Sequence, residues 1–179
     1  IAFLRDSGLT NGYTFLSTGS VDLTDKTFQL GNVPTEWPGN IYWIGDGGTL
    51  KLNHDVALSG IWTFSGSVII DGNSYVLDLG QTGTIVLERG AHVEFKNLSL
   101  YNLSSQHGIV CNDNDCAITL NFSDLLLSGN YVFDKGSIYI YYDSILGMLE
   151  GLNKPCTFTY ASTKTSTIDS FAKLEIIDG

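Results

Sequence analysis

A chain of 179 residues that is 43% hydrophobic and only 16% charged is long enough for one continuous core and too apolar to be disordered. Its net charge of −10 and pI near 4.4 argue for no nucleic acid partner and against anionic lipid, because too few cations are available to replace the counterions of a phosphate surface. No apolar run reaches the ~18 residues of a membrane-crossing helix, so no membrane span is expected.

In chain order, residues 1–48 are the least regular part. The chain begins at Ile1 without Met and closes on "LEIIDG" (174–179) inside a strand-like phrase, so it reads as a piece of a longer protein. "STGSVDLTDKTFQLG" (17–31) and "NIYWIGDGG" (40–48) resemble strand-and-turn units, while "NVPTEWPGN" (32–40) holds two of the three prolines and reads as a loop.

From residue 49 a phrase recurs: strand, polar corner, strand. Leu52, Ile70, Leu87, Cys111, Phe133 and Phe158 form one apolar column at steps of 17 to 25 residues. Two places earlier stand Leu50, Val68, Ile85, Ile109 and Tyr131, and one place later Asn53, Asp71, Glu88, Asn112 and Asp134. Side chains alternate across a strand, so the two apolar columns share an inner face and the polar residue marks a corner. A second strand follows, with Leu77 and Leu79, Val93 and Phe95, Ile118 and Leu120, Ile138 and Ile140 inward. A third short piece closes several coils: "IWTF" (61–64), "LSL" (98–100), "DLLL" (124–127) and "SIL" (144–146).

Helical periodicity is nearly absent, the best stretches being "DSILGMLEGL" (143–152) and "DSFAKL" (169–174). No crossover helix separates the strands, so coils of three strands stacked in parallel are favoured over a sandwich. The expectation is an all-β, right-handed parallel β-helix (β-solenoid). Residues 1–48 are its irregular N-terminal cap or first rungs, since an open solenoid end exposes unpaired backbone, and residues 49–179 are its coils.

"VIIDGNSYVLDL" (68–79) and "GTIVLERGAHVEFKNLSLYNLSS" (83–105) resemble phrases of right-handed parallel β-helix proteins of the pectin-lyase-like superfamily, over roughly residues 49 to 143. The resemblance implies the architecture. It leaves activity open, because polysaccharide lyases, glycoside hydrolases, adhesins and phage tailspikes share that fold. The lyases use a calcium-holding acidic cluster beside an Arg or Lys, yet the only arginines here are Arg5 and Arg89. The hydrolases carry "N-T-D", "D-D" and "G-H-G" phrases, and this chain offers only "SQHG" (105–108). No catalytic residue is assigned.

Three features could still bind something. The outward positions between the inner columns are Lys51, Ile69, Val86, Val110 and Val132. Four of them are β-branched and apolar, a stripe explained by β-propensity or by cover from the N-terminal segment or a loop, and otherwise one that a protein partner or a second copy of the chain would cover. Tyr139 and Tyr141, with Tyr142 beside them, could extend that stripe or stack on the rings of a carbohydrate. "CNDNDC" (111–116) alternates Asp and Asn, so Asp113 and Asp115 are candidate calcium ligands, although the loop lacks the glycine and the distant glutamate of an EF-hand. A corner between two strands explains the same residues. Cys111 and Cys116 could also form a disulfide across that corner, in an oxidising compartment. His54, His92 and His107 fall on different coils and form no metal triad. Asn97, Asn102 and Asn121 each open an N-x-S acceptor sequence for glycosylation.

Together these readings favour a non-catalytic extracellular or cell-surface β-helix acting as a rigid structural or adhesion module. The alternative is a fragment of a polysaccharide lyase, glycoside hydrolase or tailspike.

Overall fold

Short runs rich in Val, Ile and Leu that alternate with polar residues can pair only edge to edge, and here every pairing between strands is parallel. The computed structural model describes residues 19–30, 36–37, 40–149, 151–152 and 154–174. Among them there is no helix: the chain winds as a parallel β-solenoid of about 6 turns. Of residues 1–48, expected to be cap or first rungs, residues 1–18, 31–35 and 38–39 lie outside the described residues.

A ten-stranded sheet wraps round one corner of the solenoid and so has two wings. The first wing holds Gly19–Asp22, the opening halves of Ile41–Lys51 and Ile61–Asp71, then Thr84–Leu87 and Ile109–Cys111. Tyr131–Phe133 and Phe158–Tyr160 pair separately in the later coils. The second wing holds Thr27–Gln29, the closing halves of the two long strands, His92–Lys96, Ala117–Asn121, Ser137–Tyr141 and Thr167–Ile168. A seven-stranded sheet makes the third side, from Glu36–Trp37 through Val56–Leu58, Val76–Asp78, Ser99–Leu103, Asp124–Leu127 and Ile145–Met148 to Lys173–Leu174. Strands of the region expected to be cap or first rungs thus lie in the same ladders as the later coils.

The inner columns are buried as the alternation requires, from Leu50 and Leu52 to Ile138 and Ile140. Their stacking order differs from the expected single file. Ile70 lies beside Leu50 and Phe95 on the second wing, whereas Leu87 lies beside Phe64 and Cys111 on the first. "IWTF" (61–64) is therefore a first-wing strand and not a third piece. The reason is local. In the two early coils the wings are one continuous strand, bent at Gly47 and Gly66, so no turn residues announce the corner. A Cβ on Gly66 would stand 1.9 Å from the Gly45 carbonyl oxygen, and its φ of +77° is one that L side chains rarely adopt. The polar phrase after Ile70 marks the corner between second wing and third side, while the similar phrase after Leu87 marks the corner between the wings. The two helical candidates are also overturned: Ile145–Met148 and Lys173–Leu174 are strands, each extending the seven-stranded sheet.

Candidate functional site

Several corner carboxylates and amides are committed to backbone. Asp22 accepts from the Thr24 amide at 2.9 Å, Asp71 from Asn73 at 3.1 Å, Asp78 from Gly80 at 2.7 Å and Asp113 from Asp115 at 2.7 Å. Each is an Asx turn, the side chain standing in for a backbone acceptor. Others reach the neighbouring coil: Asn40 accepts from the Ile61 amide at 3.0 Å, Asp55 from Val76 at 2.9 Å and Asn130 from Thr157 at 3.1 Å. In the "CNDNDC" corner Asp113 also lies 3.9 Å from the Arg89 guanidinium, and Asp115 takes the Lys164 ammonium at 3.0 Å. That hydrogen bond, followed by the charge of Lys164, holds the Asp115 carboxyl below its usual range. Among the described residues no group of three or more His, Cys, Asp or Glu side chains could hold a metal ion.

The apolar stripe does not run as one file. Val86 and Val110 are register neighbours on the first wing, and Val132 pairs with Thr159. Ile69 sits on the second wing between Thr49 and Glu94, and Lys51 at the end of that wing pairs with Asp71 at 3.9 Å. Of the stripe's apolar residues only Val110 and Val132 are exposed, each by about half. They line a cleft of about 250 Å³ under the loop 104–108. That loop is folded on the Ser104 hydroxyl, which accepts from the amides of Gln106 and His107, both at 3.3 Å. Gly108 is required there, because a Cβ would come within 2.7 Å of the buried Tyr131 ring. A second cleft of about 530 Å³ opens on the other side of the loop, with Gln81, Asn102, Gln106, Asn130 and Lys154 on its walls.

The strongest surface feature is a line of aromatics at the corner between second wing and third side. Asn97 occupies this corner with φ +48°, as expected of a residue that tolerates the left-handed region. In the next two coils the corner residues are Phe122 at φ +51° and Tyr142 at φ +53°. For bulky side chains that backbone is strained. Burial does not offset the strain: Phe122 is 51% exposed and Tyr142 49%. Their rings stack on each other at 5.0 Å, only 7° from parallel. The corner of the following coil carries Phe171, 73% exposed. Tyr139 and Tyr141 point outward on the adjoining second wing, half-buried, with their rings 4° from parallel and 6.4 Å apart.

The backbone that presents this pair is held from inside. Ser123 and Ser144, each just past the strained corner, are buried. The Ser144 hydroxyl accepts from the Ser123 amide at 3.0 Å, while the Ser123 hydroxyl donates to the Phe95 carbonyl at 3.0 Å and accepts from the Leu98 amide at 3.1 Å. Sequence reading found Tyr139, Tyr141 and Tyr142 but missed Phe122, whose only signal was an aromatic standing one coil after Asn97 in an otherwise polar corner. Comparison of the chain with protein-family models, with curated proteins and with solved structures finds no match.

Proposed function

We propose that this chain is a non-catalytic β-solenoid module of the pectin-lyase-like kind, extracellular or cell-surface, that serves as a rigid adhesion element, with the aromatic corner as its contact surface. The observation that carries the reading is the Phe122–Tyr142 pair: two large rings kept in water on a backbone that disfavours them. Flat exposed rings beside further tyrosines suit the apolar faces of sugar rings, and a net charge of −10 selects for neutral over acidic polymers. The Asx turns at Asp71 and Asp113 support a structural role for these corner carboxylates.

The test uses the double variant Phe122→Asn/Tyr142→Asn, which installs the residue that the preceding coil already has at this corner. Wild type should be retained on insoluble cellulose or chitin, and the variant should fold yet elute with the void volume. Equal retention of both, or none of wild type, sinks the assignment. Concentration-dependent sedimentation abolished by the same variant would instead identify the corner as a self-association surface.

The second reading, a polysaccharide lyase or glycoside hydrolase fragment, is favoured by the polar clefts flanking loop 104–108, which place His107 near an open groove. Turnover of acidic or neutral polysaccharide, with or without calcium, lost in Asp71→Ala or Asp113→Ala, would reverse the ranking.

A further inference from the structure

We propose that Cys111 and Cys116 are the two halves of an intramolecular disulfide that locks the corner between the wings in the fifth coil. Cys111 ends a first-wing strand, Ala117 begins a second-wing strand, and Asn112–Asp115 turn between them. Both sulfurs point inward: the residues are 3% and 1% exposed. Both are free thiols in this structure, and Cys116 donates to the Glu88 carbonyl at 2.9 Å.

The neighbouring coils leave room for a sulfur at this place. Position 116 is in register with Ala91 before it and Gly136 after it, as the Ala117 pairings with His92 and Ser137 require. A Cβ on Gly136 would press to 3.1 Å from the Cys111 sulfur and 2.6 Å from the Cys116 carbonyl oxygen. Where the preceding coil has Leu87 and Ala91 in this corner, an apolar pair, this coil has two buried cysteines on either side of one four-residue turn, both within reach of a Cβ at Gly136. A free cysteine packs well in such a place; two that flank one tight corner can also bond.

The oxidant is a small disulfide such as glutathione disulfide. One protein thiolate attacks it and releases one glutathione thiolate. The second protein thiolate then attacks the protein sulfur of the mixed disulfide and releases the other. Two electrons leave the cysteine pair, and the two protons lost from its thiols end on the two glutathiones. Burial, followed by the adjacent Cys116, pushes the Cys111 thiol up to about 12, so thiolate is scarce in the finished corner. The bond therefore forms while the corner closes, and the fold then shields it from reductant. Its presence would assign the chain to an oxidising compartment, independently of what the aromatic corner binds.

The reduced full chain is refolded from denaturant, in one sample with glutathione disulfide and glutathione and in another with a reductant. Each is then alkylated with iodoacetamide after denaturation and weighed. Of the three cysteines, all should be labelled in the reductant sample and one in the oxidised sample. That one should be Cys156, and the peptide spanning residues 111–116 should be two hydrogens lighter. Cys156→Ser should lower the labelled count in the oxidised sample from one to none. Cys116→Ala, which copies Ala91, should leave Cys111 and Cys156 both labelled. Three labelled thiols after oxidative refolding, a persistent glutathione adduct, or a bond that includes Cys156 would each overturn the proposal.

Discussion

The early and late coils build the same cross-section from opposite uses of aromatic residues. Between residues 28 and 64 four rings face inward: Phe28, Trp43, Trp62 and Phe64 are buried and packed together, with Trp43 5.6 Å from Trp62 and 5.8 Å from Phe28. Later in the chain Tyr131 and Phe133 are still buried, but Phe122, Tyr139, Tyr141 and Tyr142 face outward from the second wing and its corner, over an aliphatic core of Ile118, Leu120, Ile138 and Ile140. Corners differ in step with this. In Ile41–Lys51 and Ile61–Asp71 the wings bend at glycine without a turn, which lets backbone approach backbone, whereas the later wings are joined by separate turns. The early end therefore serves stability, and the late end can spare its aromatics for a surface.

Substitutions should separate the two ends sharply. Trp43→Ala should lower the unfolding free energy by about 3–5 kcal/mol in a denaturant titration, as for other buried large aromatics. The same change at Tyr139 should stay below ~1 kcal/mol, and a loss as large as at Trp43 would break the comparison. Ser123→Ala removes a hydroxyl that both donates and accepts inside the late corner, so about 1–3 kcal/mol should be lost there despite the small side chain.

The alkaline limb of stability sharpens the contrast, because its titrating groups belong to the later coils. Cys111 keeps its proton in the folded, reduced chain up to about 12, whereas an unfolded thiol loses it near ~8.5. Burial likewise raises Tyr131 above its ordinary value. Folded pKa values above unfolded ones give stability that is full below the unfolded values and lost as pH rises through the folded ones. Stability should thus decline above pH ~8.5, and in Cys111→Ala the alkaline unfolding midpoint should move to higher pH. The smallest expected effect is at the aromatic corner. Phe122→Asn/Tyr142→Asn should shift stability by no more than ~1 kcal/mol, in either sign, because lost stacking offsets relieved backbone strain.

How the coils stack was legible only where turns are spelled out. From Thr84 onward, residues such as Glu88–Gly90 and Asn112–Asp115 announce the corner between the wings, and Leu87 over Cys111 follows directly from the repeat. In the strands Ile41–Lys51 and Ile61–Asp71 the same corner is a bend at Gly47 or Gly66 inside an unbroken strand, and a lone glycine gives no sign of which corner it serves. The next polar phrase, after Ile70, therefore attracts the wrong partner, and Ile69 joins a column of valines that it does not touch. Inward and outward positions were still correct, because the two-residue period within each strand does not depend on how the strands stack. The strained corner was hidden for another reason: aromatics carry no sequence signature for left-handed backbone, and only the coordinates put Phe122 one rung above Asn97.

Partners in every ladder lie one coil apart, as Leu50 with Ile70 or Phe95 with Leu120. No contact of the ladder waits for a distant segment of the polypeptide. A chain threaded out of a narrow exit, amino end leading, could set down its tryptophan-rich coils first and wind each later coil onto a finished template, so order of delivery and order of assembly would coincide.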